Sequence, residues 1–179
     1  FDYQFNDYFA VQTGLSYTMK GEKIKCTIED EDYSYEEKTK TTIHYFEIPI
    51  LAGARYSIND DIQLKFNTGP YIGIGIAGKA KTSSNAEGFK DYSQKVFGDI
   101  DKNKDAERIE DEVLGLKRFD MGWRFDIGAD INKFYVGLAY DLGFLDIQNK
   151  KVKEETEKYK GKYEALHTGN FSINVGYRF

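Results

Sequence analysis

An antiparallel, up-and-down β-barrel whose strands cross a membrane is the fold this sequence predicts, and three observations predict it. Apolar and polar residues alternate through six long segments and a leading stub, glycines gather in the polar phase, and short turns alternate with long polar connections. At 179 residues the chain suits one domain spanning 1–179. Aromatics reach 16%, with 14 Tyr and 13 Phe, and there are only two Pro against 17 Gly, a mixture that favours strands and turns.

Charge and cysteine content exclude several functions. A net charge of −5 opposes a broad phosphate-binding surface, so nucleic acid is excluded as a partner. The single cysteine, Cys26, cannot form an intramolecular disulfide or a CxxC metal or redox motif. No run of about 18 apolar residues exists for a transmembrane helix, but a transmembrane strand needs only about 10 alternating residues, and polar loops lower the mean hydropathy. Phe1 begins inside a strand-like pattern with no signal peptide ahead of it, from which processing or truncation is expected.

The strand segments follow in order. In YFAVQTGLSYTMK, Phe9, Val11, Leu15, Tyr17 and Met19 share one phase, and Ala10, Gln12, Gly14, Ser16 and Thr18 the other. Phe46, Ile48, Ile50, Ala52, Ala54 and Tyr56 oppose Glu47, Gly53 and Arg55. Ile62, Leu64, Phe66, Ile72, Ile74 and Ile76 oppose Gln63, Lys65, Asn67, Gly69, Gly73 and Gly75. Phe119, Met121, Trp123, Phe125, Ile127 and Ile131 oppose Arg118, Asp120, Arg124, Asp126 and Asp130. Phe134, Val136, Leu138, Tyr140, Leu142 and Phe144 oppose Gly137, Asp141 and Gly143. The last segment sets Phe171, Ile173, Val175, Tyr177 and Phe179 against Asn170, Ser172, Asn174, Gly176 and Arg178.

Size decides which phase faces inward. The bulky apolar phase cannot all fit inside, whereas ten glycines, at 14, 53, 69, 73, 75, 122, 128, 137, 143 and 176, fall in the polar phase, as a cramped interior requires. The apolar phase is therefore assigned to lipid. A soluble lipocalin-like barrel with a ligand cavity would need the phases inverted. The inward charges balance: Glu47, Asp120, Asp126, Asp130 and Asp141 against Arg55, Lys65, Arg118, Arg124 and Arg178. A paired lumen network that holds the barrel shut is expected, in preference to an ion path.

Short turns at Asn6-Asp7, Asn59-Asp60-Asp61 and Asn132-Lys133 alternate with long loops near 21–41, 80–116 and 148–166. Short periplasmic turns and long outer loops are the asymmetry of an outer-membrane barrel. By that rule the stub FDYQF descends from an outer loop that follows an earlier strand. Closure with an even number then predicts eight strands, the first of them upstream of Phe1. Pro49 and Pro70 lie within strand patterns and cannot donate to a ladder, so bulges or kinks are expected there.

The segments YFEIPILAGARY, KFNTGPYIGIGIAG, RFDMGWRFDIGADI, FYVGLAYDLGFLDI and FSINVGYRF, in this order, resemble the small outer-membrane β-barrel proteins of the porin-like family, related in shape to the OmpA and OmpX barrels. The resemblance covers nearly the whole chain outside the loops. It implies an outer membrane of a Gram-negative bacterium, contact with lipid and lipopolysaccharide, and a terminal strand ending at Phe179 that is similar to the signal read by the barrel-assembly machinery. It carries no catalytic residue across.

The remaining chemistry lies in the loops. DIDKNKDAERIE places Asp99, Asp101, Asn103, Asp105 and Glu110 at positions 1, 3, 5, 7 and 12 of a calcium-loop-like pattern, although Lys104 stands where the sharp turn demands Gly. Ca2+ is the one cofactor the sequence suggests, and a solvated acidic loop is the simpler reading. Glu29, Asp30, Glu31, Asp32, Glu36 and Glu37 surround Tyr33 and Tyr35 in the first loop, an acidic aromatic patch suited to a cationic partner or a bridging divalent ion. Lys150, Lys151, Lys153, Lys158, Lys160 and Lys162 in the third suit outer-leaflet phosphates. A lipid-modifying enzyme would need a base and nucleophile at the membrane face. The two histidines, His44 and His167, have no Ser two residues away and no orienting carboxylate that the sequence identifies. A non-enzymatic barrel is expected, acting by loop binding or adhesion or as an envelope-structural element. A narrow porin-like channel is the alternative, although side chains just fill an eight-stranded interior.

Overall fold

The computed structural model describes residues 1–29, 34–98, 113–148 and 165–177, and among them there is no helix. Among the described residues nine strands form one antiparallel sheet: β1 (Asp2–Gln4), β2 (Phe9–Thr13), β3 (Ser16–Glu29), β4 (Ser34–Ser57), β5 (Ile62–Ser84), β6 (Tyr92–Lys95), β7 (Phe119–Ile131), β8 (Phe134–Gly143) and β9 (Gly169–Tyr177). The hydrogen-bonded order is β1-β2-β4-β5-β7-β8-β9, with β3 also on β4 and β6 on β5. The sheet curls so that side chains of β3 and β9 meet those of β7 across the interior. The terminal members of the path, β1 and β9, are not paired with each other.

β2 and β3 are one stave. The pairs Thr13↔Ile50 and Ser16↔Glu47 keep a single register along β4, and the ladder lapses only between them, opposite Pro49. Pro49 has no N–H to give, so the interruption falls where a bond is chemically unavailable. The β4–β5 ladder lapses likewise between Pro49↔Tyr71 and Ala52↔Thr68, beside Pro70. Neither proline shifts the register, so of the bulge or kink expected at these positions there is no bulge, only an interrupted ladder. The register shift lies instead between His44 and Tyr45, where Tyr45 pairs with Gly75 and His44 with Ala77, leaving Ile76 as the extra residue.

Asparagine side chains make the short turns. Asn6 Oδ1 accepts hydrogen bonds from the N–H groups of Tyr8 and Phe9, both 2.9 Å. Asn59 Oδ1 accepts from those of Asp61 and Ile62 at 3.0 and 2.8 Å, and Asn132 takes a φ of 56°. Asn closes such turns because its short amide replaces a backbone acceptor and its backbone tolerates the left-handed region.

The opposite end differs from the loops expected there. Residues 21–41 are largely strand, since β3 runs to Glu29 and β4 begins at Ser34, and β5 continues to Ser84 with β6 beside it. Polar composition had suggested loop, but the threonines of TKTTIHY favour extended backbone, and Thr39 and Thr82 hydrogen-bond across β4 and β5 at 3.1 Å. β4 has 24 residues and β5 has 23, whereas a membrane crossing uses about 10. A β-ribbon therefore projects well beyond the membrane.

The faces divide as alternation predicts. Ile48, Ile50, Phe66, Ile72, Ile74, Phe125, Ile127, Leu138 and Ile173 are all exposed, while Glu47, Asn67, Asp120 and Asp141 have no exposure at all. In water this arrangement would leave a large apolar surface bare. In a bilayer it is the lipid-facing band of a transmembrane barrel.

Candidate functional site: the charged barrel interior

Polar side chains enter the interior because, on a pleated strand, every second residue points inward. Two clusters result. Nearer the projecting ribbon, Arg124 on β7 donates from Nε and Nη2 to both carboxylate oxygens of Asp141 on β8, at 2.5 and 2.8 Å. Its Nη2 also reaches Glu47 on β4 at 2.7 Å. Lys20 on β3 meets the other Glu47 oxygen at 2.8 Å and Asp120 on β7 at 2.9 Å. Tyr71 and Thr168 donate to the same Asp120 oxygen at 3.2 and 2.7 Å, and Thr18 donates to Glu47 at 3.1 Å.

The second cluster lies toward the short turns. Arg55 donates to Asn67 at 2.6 Å and to Asp2 at 3.0 Å. Lys65 bridges Asp2 and Asp130 at 3.3 and 2.7 Å. Asp126 accepts from Asn67, Tyr135 and Asn174 at 2.8, 2.7 and 3.2 Å. Each cluster sets two cations against three carboxylates, and neutral amide and hydroxyl donors satisfy what the cations do not. Buried charges need this completeness, since each costs several kcal/mol to desolvate.

Aromatic rings fill what the charges leave, and glycines make room for them. Tyr45 and Tyr71 are wholly buried, and Lys20 Nζ lies 4.4 Å from the Tyr71 ring centre and 5.1 Å from that of Tyr45. The Tyr45 hydroxyl has no hydrogen-bond partner among the described residues. A methyl group added at Gly122 would strike the Tyr71 ring, and one at Gly137 the Tyr135 hydroxyl. Above them the segment after β6 turns inward: Val96 and Phe97 pack with Ile43 and Tyr45, backed by Leu114 and Leu116. Phe97 occupies the space over Gly75. The ribbon end of the interior is thus covered by apolar side chains.

Of the lumen residues expected from sequence, Glu47, Asp120, Arg124 and Asp141 meet in one cluster, and Arg55, Lys65, Asp126 and Asp130 in the other. Arg118 does not join them. It is exposed at the rim, donating to the carbonyls of Gly75 and Ile76 at 2.9 and 3.3 Å with its guanidinium 4.6 Å from the Phe97 ring centre. The β5–β7 register runs on past Phe119, since the Gly75 N–H donates to the Arg118 carbonyl at 2.7 Å, but Phe97 stands over Gly75 and takes the inward space beside Arg118. Lys20 and Asp2 take part although sequence reasoning assigned neither. Lys20 continues the inward phase of Ser16 and Thr18 by one further step, a signal legible once the strand is allowed to outlast its apolar face. Arg178 lies outside the described residues, as do Asp99, Asp101, Asn103, Asp105 and Glu110 of the calcium-like loop.

No metal-like group of His, Cys, Asp and Glu occurs among the described residues. His44 bonds the Tyr17 hydroxyl through Nδ1 at 2.5 Å, and Nδ1 of His167 lies 3.2 Å from the Leu145 carbonyl oxygen. Both are at the membrane rim, and among the described residues no hydrogen bond joins either to a serine hydroxyl or a carboxylate.

The outward apolar band, the inward charges and the glycine phase are those of a strand-crossing membrane protein, and residues 1–149 match the family model for the outer membrane protein beta-barrel domain. The chain belongs to this family. Searches of curated proteins and of solved structures return no match. Membership places the chain in an outer membrane.

Proposed function

We propose that this protein is a non-enzymatic barrel of a Gram-negative outer membrane that conducts no solute through its centre and works through the surface its long connections present outside the cell. The observation that carries this reading is the filled interior. Arg124, Lys20 and three carboxylates span the lumen, and Val96 and Phe97 cover its ribbon end. A pore would need a continuous water path, and water would have to replace paired charges whose partners sit within 3 Å. The asymmetry between Asn-closed turns and the β3–β4–β5 ribbon supports an outward ribbon. The alternation ending at Tyr177, with Phe179 beyond, supports recognition by the barrel-assembly machinery.

Planar-bilayer recording of the refolded chain tests the closed lumen. No unitary step above leak is expected, and a stable conductance would return the channel reading. Orientation is tested at Cys26, an exposed free thiol on β3: a membrane-impermeant maleimide should label it in intact cells. Trimming the ribbon should abolish surface adhesion while envelope integrity persists; loss of integrity with adhesion intact would favour a purely structural role.

A further inference from the structure

The projecting ribbon carries cations on one face in a register that concentrates them. Lys23 pairs with Lys40, and Lys40 with Lys81, so three lysines on β3, β4 and β5 stand side by side. The next row outward pairs Lys25 with Lys38, and the row nearer the membrane pairs Lys79 with Lys95. All of them share the face that carries Tyr17, Met19 and Phe46 lower down, because the extra residue Ile76 turns Lys79 and Lys81 of β5 into the outward phase. The lipid-facing apolar surface thus passes directly into a lysine surface.

Like charges directly opposite one another destabilise a sheet, so this arrangement calls for anions. Glu36 supplies one, pairing with Lys38 at 2.5 Å and also with Lys25; hydrogen bonds from Lys25 and Lys38 hold its carboxyl below the usual carboxylate range. Asp91 lines the edge of the same face. Lys23, Lys40, Lys79 and Lys81 form no ion pair with a described residue. A cleft of about 920 Å³ is lined by six lysines of this face and also by residues of the opposite phase, Thr82 and Tyr92 among them.

We propose that the lysine face is a binding surface for the phosphate groups of outer-leaflet lipid, centred on Lys23, Lys40 and Lys81. Height supports lipid as the source. Lys40 lies four residues beyond His44, or about 10 Å above the apolar rim for a strand rising ~3.3 Å per residue and tilted by about 40°. The polar layer outside the hydrocarbon is roughly 5–7 Å deep, and a lysine side chain can lay its stem along apolar surface while its ammonium reaches for the charge. A surface polysaccharide would not need the lysines to adjoin the apolar band. This inference rests on the outward orientation of the ribbon, which the Cys26 labelling tests separately.

The full chain, folded in neutral-lipid nanodiscs, is to be titrated with a bisphosphorylated glycolipid and, in parallel, with the same glycolipid stripped of phosphate, bound lipid being counted by native mass spectrometry. Wild type should retain the phosphorylated form. Lys23→Gln, Lys40→Gln and Lys81→Gln together should weaken retention by roughly 100-fold, given the worth of a lysine at an anionic surface, and the corresponding triple change to Arg should keep it. Unchanged retention in the Gln variant would overturn the proposal, as would equal retention of the dephosphorylated lipid. Displacement of the glycolipid by millimolar inorganic pyrophosphate would reassign the face to soluble phosphates, and displacement by a phosphate-free acidic polysaccharide to that polymer; either result overturns lipid as the occupant. Heat-modifiable gel mobility verifies that each variant is folded.

Discussion

Replacing Arg124 by Leu removes the central cation of the outer lumen cluster while approximately keeping its bulk. Asp141, with no exposure, would lose both strong donors, at 2.5 and 2.8 Å. Glu47 would lose one contact but keep Lys20 at 2.8 Å. The loss thus concentrates on one stranded carboxylate. Removing one member of a buried ion pair costs about 3–5 kcal/mol, which is two to nearly four decades in the unfolding equilibrium. Urea titration of the barrel in lipid vesicles, followed by Trp123 fluorescence and by gel mobility, measures it. Adding Asp141→Leu to Arg124→Leu should recover most of the loss, because the pair then disappears together with its desolvation cost. Arg118→Leu, at the rim, should cost under about 1 kcal/mol, as exposed charge contacts do. Equal costs at Arg118 and Arg124, or no recovery in the double variant, would refute the assignment of Arg124 as the buried hub.

Trp123, the only tryptophan, lies on the outward face with its indole N–H donating to Thr68 at 2.7 Å; lipids brominated along their chains should quench it strongly and aqueous iodide weakly, and the reverse order would put the apolar face in water. Phe97→Ala should destabilise by about 3 kcal/mol, the low end for a buried phenylalanine at a rim. Gly75→Ala should cost about 1–3 kcal/mol by displacing the same ring, and the two costs in combination should be sub-additive in urea titration; full additivity would separate Phe97 from Gly75. For Glu36 the sign follows from its lowered carboxyl pKa: its contribution to the ribbon is present above the ordinary carboxylate range and fades as pH falls through its lower, folded-state value. Amide protection at the ribbon tip, corrected for intrinsic exchange, should therefore drop on acidification in wild type and be insensitive in Glu36→Gln.

Alternation is a local property, and it determined a great deal: the strand segments, their lipid-facing side, the glycine-lined interior and the Asn turns were all legible because each depends on residues two apart or on a turn's own side chain. What alternation cannot express is contact between strands far apart in sequence. Lys20 meets Asp120 across 100 positions, and nothing near Lys20 in sequence announces it. Arg118 keeps the inward phase yet joins neither cluster, because Phe97, from the segment after β6, stands over the facing Gly75 with its ring 4.6 Å from the guanidinium. Tyr45, Tyr71 and Tyr135 fall in the inward phase, but which glycine of a neighbouring strand each packs against, Gly73, Gly122 and Gly128, depends on register. Composition also misjudged the ribbon, since lysine and threonine indicate loop only when no neighbouring strand is there to pair with them. The sequence by itself therefore decided which residues face lipid and which face inward. Only the tertiary structure decided which inward charges meet, what covers the lumen and where the lysines align, because those depend on register, and register is set by pairing across the whole sheet.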